Sequence, residues 1–298
     1  MARMNKKEIN ALINLLDDPD ETIYTQVKDR FISIGSSVIP YLELAWENSF
    51  EMLIQKRIEE IIHTIQFDAL NKELGNWAQN DQDDLLKGML LIARYQYADL
   101  DEEKIRRQLQ QIKQDVWLEL NDELTALEKV KILNHIIFEV HNFSGNISNY
   151  HAPQNSFFNV VLESKKGNPV ALSVLYLLIA RELKIPIYGI NLPEHFIVAY
   201  VDEEVNLLNL SDKSTDADNV LFYINPFSKG IIFSRNDIDQ FLKQLKLEPQ
   251  PLFYRPCGNI EIIRRVLRNL IYSYEKLGHV EKIEELTILL NNLITTYF

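Results

Sequence analysis

Apolar positions recur at helical spacing through the first half of the chain, and alternation sets in only after Pro186. In "KKEINALINLLDD", Ile9, Leu12, Ile13 and Leu16 fall on one helical face. "DPDETIYTQVKDRFISIG" follows, with an Asp-Pro start, acids in the first turn and Gly35 as a stop. "SSVIPYLELAWEN" and "FEMLIQKRIEEIIHTI" predict two more helices. Short helices punctuated this way make residues 1–66 a HEAT-like helical region or, equally, an irregular bundle, because the segment holds only about two such units.

Residues 67–142 continue as helix. "DEEKIRRQLQQIKQDVWLEL" sets Ile105, Leu109, Ile112, Val116 and Trp117 in one stripe. In "TALEKVKILNHIIFEVHNF", Thr125 is an N-cap and Glu128 completes a capping box. The acidic runs 81–84 and 99–103 sit at helix starts, where the helix dipole explains them better than a metal would.

The pattern changes at Phe143. "SGNISNYHAPQNS" is loop-forming, and "SKKGNPVALSVLYLLIARELKIP" is a turn leading into a buried helix headed by Pro169. "IPIYGINL", "HFIVAYVD", "EVNLLNL", "NVLFYINPF" and "GIIFS" then read as strands, with "SDKSTDADN" as a polar loop. Residues 143–255 are therefore an α+β core: an antiparallel sheet with a buried helix. Inside it, "RNDIDQFLKQLKL" is a helix capped by Asn236 or Asp237, and "PQPLFYRP" is an extended connector. Residues 256–298 form a helical hairpin broken at "LGHV", in which Leu270, Tyr274 and Gly278 resemble a tetratricopeptide-type unit. One such unit must pack on the rest of the protein or on a partner.

Composition narrows the function classes. The 298 residues are 46% hydrophobic and 25% charged, enough for a sizeable core. A formal net charge of -12 argues against sequence-independent binding to nucleic acid or to an anionic membrane surface. No apolar run is long enough to cross a bilayer, and "MARMNKKEIN" does not read as a secretory signal. The single cysteine, Cys257, forbids an internal disulfide and suits a reducing compartment, so a cytoplasmic location is expected.

Candidate chemistry centres on the histidines. His63, His135, His141 and His279 lie in helices or at a helix junction, where structural roles are the ordinary ones. His135 and Glu139 share a helical face, but no third ligand stands at metal spacing, and neither a metal nor a cofactor is expected. His151 lies in the polar loop. His195 starts a strand just after a proline-bearing turn, a position suited to acid/base work. Cys257 precedes a helix, with Asn259 as its expected cap, but nothing ties it to His195. Ser173, one turn inside the buried helix, reads as a core hydroxyl bonded to a backbone carbonyl.

The segment "NYHAPQNSFFNVVLESKKGNPVALSVLYLLIARELKIPIYGINLPEHFIVAY", with "INPFSKG" after it, resembles the bacterial transglutaminase-like family of the SirB type. The shared motifs are Tyr-x-x-Pro-x-Asn-Ser, Gly-x-Pro, Pro-x-His-Phe and a proline-phenylalanine pair that the family precedes with aspartate. They occur in order, and the resemblance runs over roughly 125–285.

The resemblance implies a papain-like core in which a Cys opens the buried helix, a His follows on a strand and an Asp on the next. Gly167-Asn168-Pro169 and Lys184-Ile185-Pro186 keep the distance between Gly-x-Cys and Gly-Ile-Pro in active relatives. The triad positions are then Pro169, His195 and Asn225, with proline on the nucleophile and an amide in place of the carboxylate. Tyr150, His151, Asn155, Asn168 and Glu194 are expected to line the cleft, although Tyr150 and Asn155 would serve equally to tie down the long loop.

Three readings follow. The leading one is a transglutaminase-like pseudoenzyme that binds a protein or peptide partner. The second is an enzyme, such as a hydrolase, that uses His195 as general base on water. The third is a structural scaffold in which His195 is a satisfied core residue.

Overall fold

Helix start and stop signals account for most of the N-terminal architecture. The computed structural model describes residues 6–202 and 219–295, so the expected strand "EVNLLNL" and all of the polar loop but Asn219 lie outside it. The chain divides into two compact units, Met1–Leu74 and Gly75–Phe298.

The first unit holds α1 (Lys6–Ile13), α2 (Glu21–Ile34), α3 (Ile39–Asn48) and the start of α4 (Met52–Asn80). Asp20 caps α2 by accepting the Thr22 N–H at 2.8 Å, and Gly35 ends it at a φ of 78° that favours glycine. Leu16, Phe31, Val38, Leu42, Ile58 and Ile61 form the core. Arg57 is buried but satisfied, donating to the Leu16 and Asp18 carbonyls and to Glu21. Helix α4 runs past the expected end at residue 65. No proline interrupts "QFDALNKELGNWAQN", and Leu70, Leu74 and Trp77 maintain a buried face along it.

In the second unit, the acidic runs cap helices. Asp84 caps α5 (Leu85–Arg94) through the Lys87 N–H, and Asp101 caps α6 (Glu102–Glu119) through the Lys104 N–H, each at 2.9 Å. The α6 stripe is buried at Ile105, Leu109, Ile112 and Val116, but Trp117 is 63% exposed. It lies one residue past Val116, a rotation of about 100° that carries it off the buried face. The Thr125–Glu128 capping box starts α7 (Ala126–Asn134), which runs on into a π-helical turn, His135–Val140.

Four antiparallel strands in chain order make the main sheet: β3 (Ile187–Leu192), β4 (His195–Val201), β5 (Val220–Asn225) and β6 (Ile231–Phe233). A short parallel pair, β1 (Ser144–Gly145) with β2 (Lys166–Gly167), ties the polar loop to the entrance of α9 (Pro169–Glu182). Between them lies α8 (Phe158–Ser164), a seven-residue helix too short for periodicity to have predicted.

Helix α9 is buried along almost its whole length and packs on β3 and β4. Ile238 and Leu242 of α10 (Arg235–Gln244) share a core with Ile190, Leu192, Ile197, Ala199 and Tyr223 of the sheet. The cap of α10 is Ser234, not Asn236 or Asp237. Asp237 instead sits at the third helical position and accepts the Ser234 N–H at 2.7 Å. The "PQPLFYRP" connector contains a 3₁₀ turn, Pro251–Phe253, in place of extended chain. The C-terminal hairpin is α11 (Asn259–Leu277) and α12 (Val280–Thr295), and α11 packs on α5, α9 and β3. Among the described residues no helix is long and apolar enough to cross a membrane.

Candidate functional site

The site begins at the head of α9. Asn168 caps the helix by accepting the Ala171 N–H at 2.9 Å, and its Nδ2 donates to Ser156 Oγ at 2.7 Å. Both Asn168 and Ser156 are buried, so each needs the other as a partner. Pro169 takes the first helical position, where a missing N–H costs nothing. A proline here lacks both a nucleophilic atom and a backbone donor that could face developing negative charge.

The loop before α9 is held by Asn155. Its Nδ2 donates to the carbonyls of Asn149 and Tyr150 at 2.7 and 3.0 Å, and its Oδ1 accepts from Asn146. Asn155 is 2% exposed and does not line the cleft, which corrects the expectation for it. A buried amide with four bonding positions does more for a polar loop than for a ligand. Its work places Tyr150 and His151 at the cleft edge, their rings 5.1 Å apart and edge-on.

His195 enters from the opposite side. Leu192 and His195 pair across a two-residue turn, Pro193 and Glu194, in which Glu194 is held at a φ of 56°. Burial pushes the His195 pKa below its ordinary value. A hydrogen bond that the ring donates to Asn225 pulls it up, and the Arg265 charge pushes it down. The ring is therefore neutral at neutral pH.

Tyr150, His151, Asn168, Pro169, Glu194 and His195 line one cleft of about 550 Å³, so six of the eight residues singled out from the sequence meet there. Asn225 does not line this cleft. It lies on another side of His195, facing an apolar depression that includes Ile231, Phe233 and Phe241. It also caps the turn Pro226–Ser228, its Oδ1 accepting the Ser228 N–H at 3.3 Å. Its side chain is thus shared between that cap and His195.

Sequence reasoning missed the fourth wall. Arg265, Arg268, Asn269 and Tyr272 project from α11 into the cleft. Their spacing, i, i+3, i+4 and i+7, is one helical face, a signal that was legible but reads by default as a solvated surface.

The other candidates lie elsewhere. Cys257 is not among the cleft residues, its N–H donates to the Gly189 carbonyl at 2.8 Å, and burial pushes its thiol up to about 12. The residue before α11 that carries the cap position is Gly258. Asn259, expected to cap, donates instead to the Gln82 and Asp83 carbonyls. Ser173 is fully buried, its Oγ 3.5 Å from the Phe196 carbonyl. His135 bonds Glu139 at 2.9 Å and His141 bonds Asp115 at 2.8 Å. Among the described residues no three His, Cys, Asp or Glu side chains are grouped to hold a metal ion.

The geometry can therefore hold a ligand against a neutral imidazole and two guanidiniums, and it offers no thiol to attack it. Comparison with known proteins agrees on the architecture. Residues 103–268, from α6 to the Arg265–Arg268 wall, match the transglutaminase-like superfamily. A UPF0162 protein of Xylella fastidiosa (strain 9a5c) is 31% identical over 193 residues, 64% of each chain. A UPF0162 protein of Vibrio cholerae is 27% identical over 192 residues, 63% of this chain and 65% of its own. The human F-box only protein 21 is 26% identical over 166 residues, which are 55% of this chain but 24% of that one. The chain thus spans slightly less than two thirds of these two bacterial relatives. No solved structure matches it. The extent of the superfamily match, over more than half the sequence, places this chain in the transglutaminase-like superfamily.

Proposed function

We propose that the protein is a transglutaminase-like pseudoenzyme that binds a peptide or protein in the cleft in front of α9 without cleaving or transferring it. The observation that carries this reading is Pro169 at the head of the buried helix, lining the cleft, at the position where the family resemblance implies a cysteine in active relatives. The site's remaining order supports it. Asn168 still caps the helix, Asn155 still holds the loop, and His195 still faces the space between them. The helical flanks, HEAT-like over 1–66 and tetratricopeptide-like over 256–298, would add contact surface for such a partner. A cytoplasmic setting suits the lone thiol.

One observation favours a second reading. A neutral imidazole on an open cleft is the form needed to take a proton from water, so His195 would serve as general base in a hydrolase without a covalent step. A turnover screen over peptide, amide and amine-transfer substrates separates the two. The pseudoenzyme reading expects the wild type to match His195→Ala at background. Turnover that His195→Ala abolishes would overturn it in favour of the hydrolase.

A further inference from the structure

The α11 wall of the cleft runs against the charge of the molecule. The chain carries a net charge of -12, yet this wall presents two guanidiniums three residues apart, Arg265 and Arg268. That spacing puts them side by side on one helical face. Among the described residues neither has a carboxylate within ion-pair distance, whereas Arg30, Arg57 and Arg106 are all paired. The lining's one carboxylate, Glu194, is an exposed turn residue and ranks last among the influences on Arg265, behind the like charge of Arg268.

Arg265 is also aimed. Its Nη1 donates to Asn191 Oδ1 at 3.0 Å and to the Leu192 carbonyl at 2.9 Å, both on the strand that leads to His195. These bonds fix the guanidinium plane and use one of its nitrogens, leaving the rest of the donor fork for a ligand. Two adjacent like charges, one of them half-buried and anchored, are unfavourable in an empty site and become favourable when an anion lies between them. Beside them, His151 stands edge-on to Tyr150 and to Tyr272 of the same helix face, at 5.1 and 5.3 Å, an aromatic strip suited to the body of an extended chain.

We infer that the cleft recognises a carboxylate carried by a peptide, clamped by Arg265 and Arg268 with the chain lying along Tyr150, His151 and Tyr272. A carboxylate is planar and matches the guanidinium fork with two parallel hydrogen bonds. The inference rests on the peptide-binding reading above and adds the chemistry of what is bound. A C-terminal carboxylate and an acidic side chain share that chemistry, and the test distinguishes them.

The test uses the full chain and a bead-displayed heptapeptide library made in three versions. One is amidated and free of Asp and Glu. One has a free C-terminal carboxylate and no acidic side chains. One is amidated and contains Glu. Retention is expected in one of the two carboxylate versions, and which one names the source. Arg268 is exposed, so Arg268→Gln leaves the fold intact, and Arg265→Lys keeps a cation beside Asn191 and Leu192 while removing the fork. Each variant is expected to bind the retained sequences about tenfold more weakly, as the loss of one charge-assisted hydrogen bond implies. Retention confined to the neutral version, with affinity unchanged in Arg268→Gln, would overturn the carboxylate clamp and leave peptide binding standing. No retention in any version would overturn both.

Discussion

Asn168 accepts the Ala171 N–H at 2.9 Å and so fixes the first turn of α9, the helix that carries Pro169 to the cleft. The same side chain donates to Ser156 on the preceding segment, so one buried amide joins the loop to the helix. Asn168→Ala removes a cap and leaves the Ser156 hydroxyl without this donor, a combined loss of about 1–2 kcal/mol in urea unfolding. Asn168→Asp keeps the capping oxygen and is expected to lose less. Equal losses for the two variants would show that the cap does not govern this turn.

Cys257 is the chain's one thiol and is held beneath β3. With its pKa pushed up to about 12 by burial, the thiolate is scarce at pH 8. Alkylation of the native protein by iodoacetamide is therefore expected to run at least about a hundredfold slower than in denaturant. Labelling at comparable rates in the two states would mean that Cys257 is open to chemistry.

His195 predicts a pH dependence with a definite sign. Its ring favours the neutral form in the folded protein, because burial and Arg265 together outweigh the Asn225 hydrogen bond. The unfolded chain binds that proton more readily, near the ordinary value of 6.5. The associated stability is fully present above 6.5 and is lost as pH falls from there toward the folded pKa. The thermal midpoint should then fall more steeply between neutrality and mild acid in the wild type than in His195→Gln. Identical slopes would remove His195 from the account.

Much of this site was legible because its motifs have local causes. Asn168 at a helix start and Pro169 after it follow from backbone chemistry within a few residues, and the family resemblance set Pro169 and His195 at one site. What was illegible depends on distant packing. Arg265 and Arg268 reach the cleft only because α11 packs on α9 and β3, a contact that spans some seventy or more residues of sequence. For Asn155 the sequence offered the cleft and the loop equally, and its bonds to the Asn149 and Tyr150 carbonyls favour the loop. Trp117 was placed in the α6 stripe by hydrophobicity, although its angle on the helix carries it outside.

The central claim is that position 169 faces the cleft where a nucleophile would stand, and that only the side chain is missing. Pro169→Cys in a Cys257→Ala background tests this by following iodoacetamide labelling from pH 5 to 9, with and without His195→Ala. A thiol at the head of α9 beside His195 is expected to titrate well below the ordinary value of about 8.5, and His195→Ala is expected to move it back up. A thiol that titrates at or above that value, and is indifferent to His195→Ala, would contradict the account.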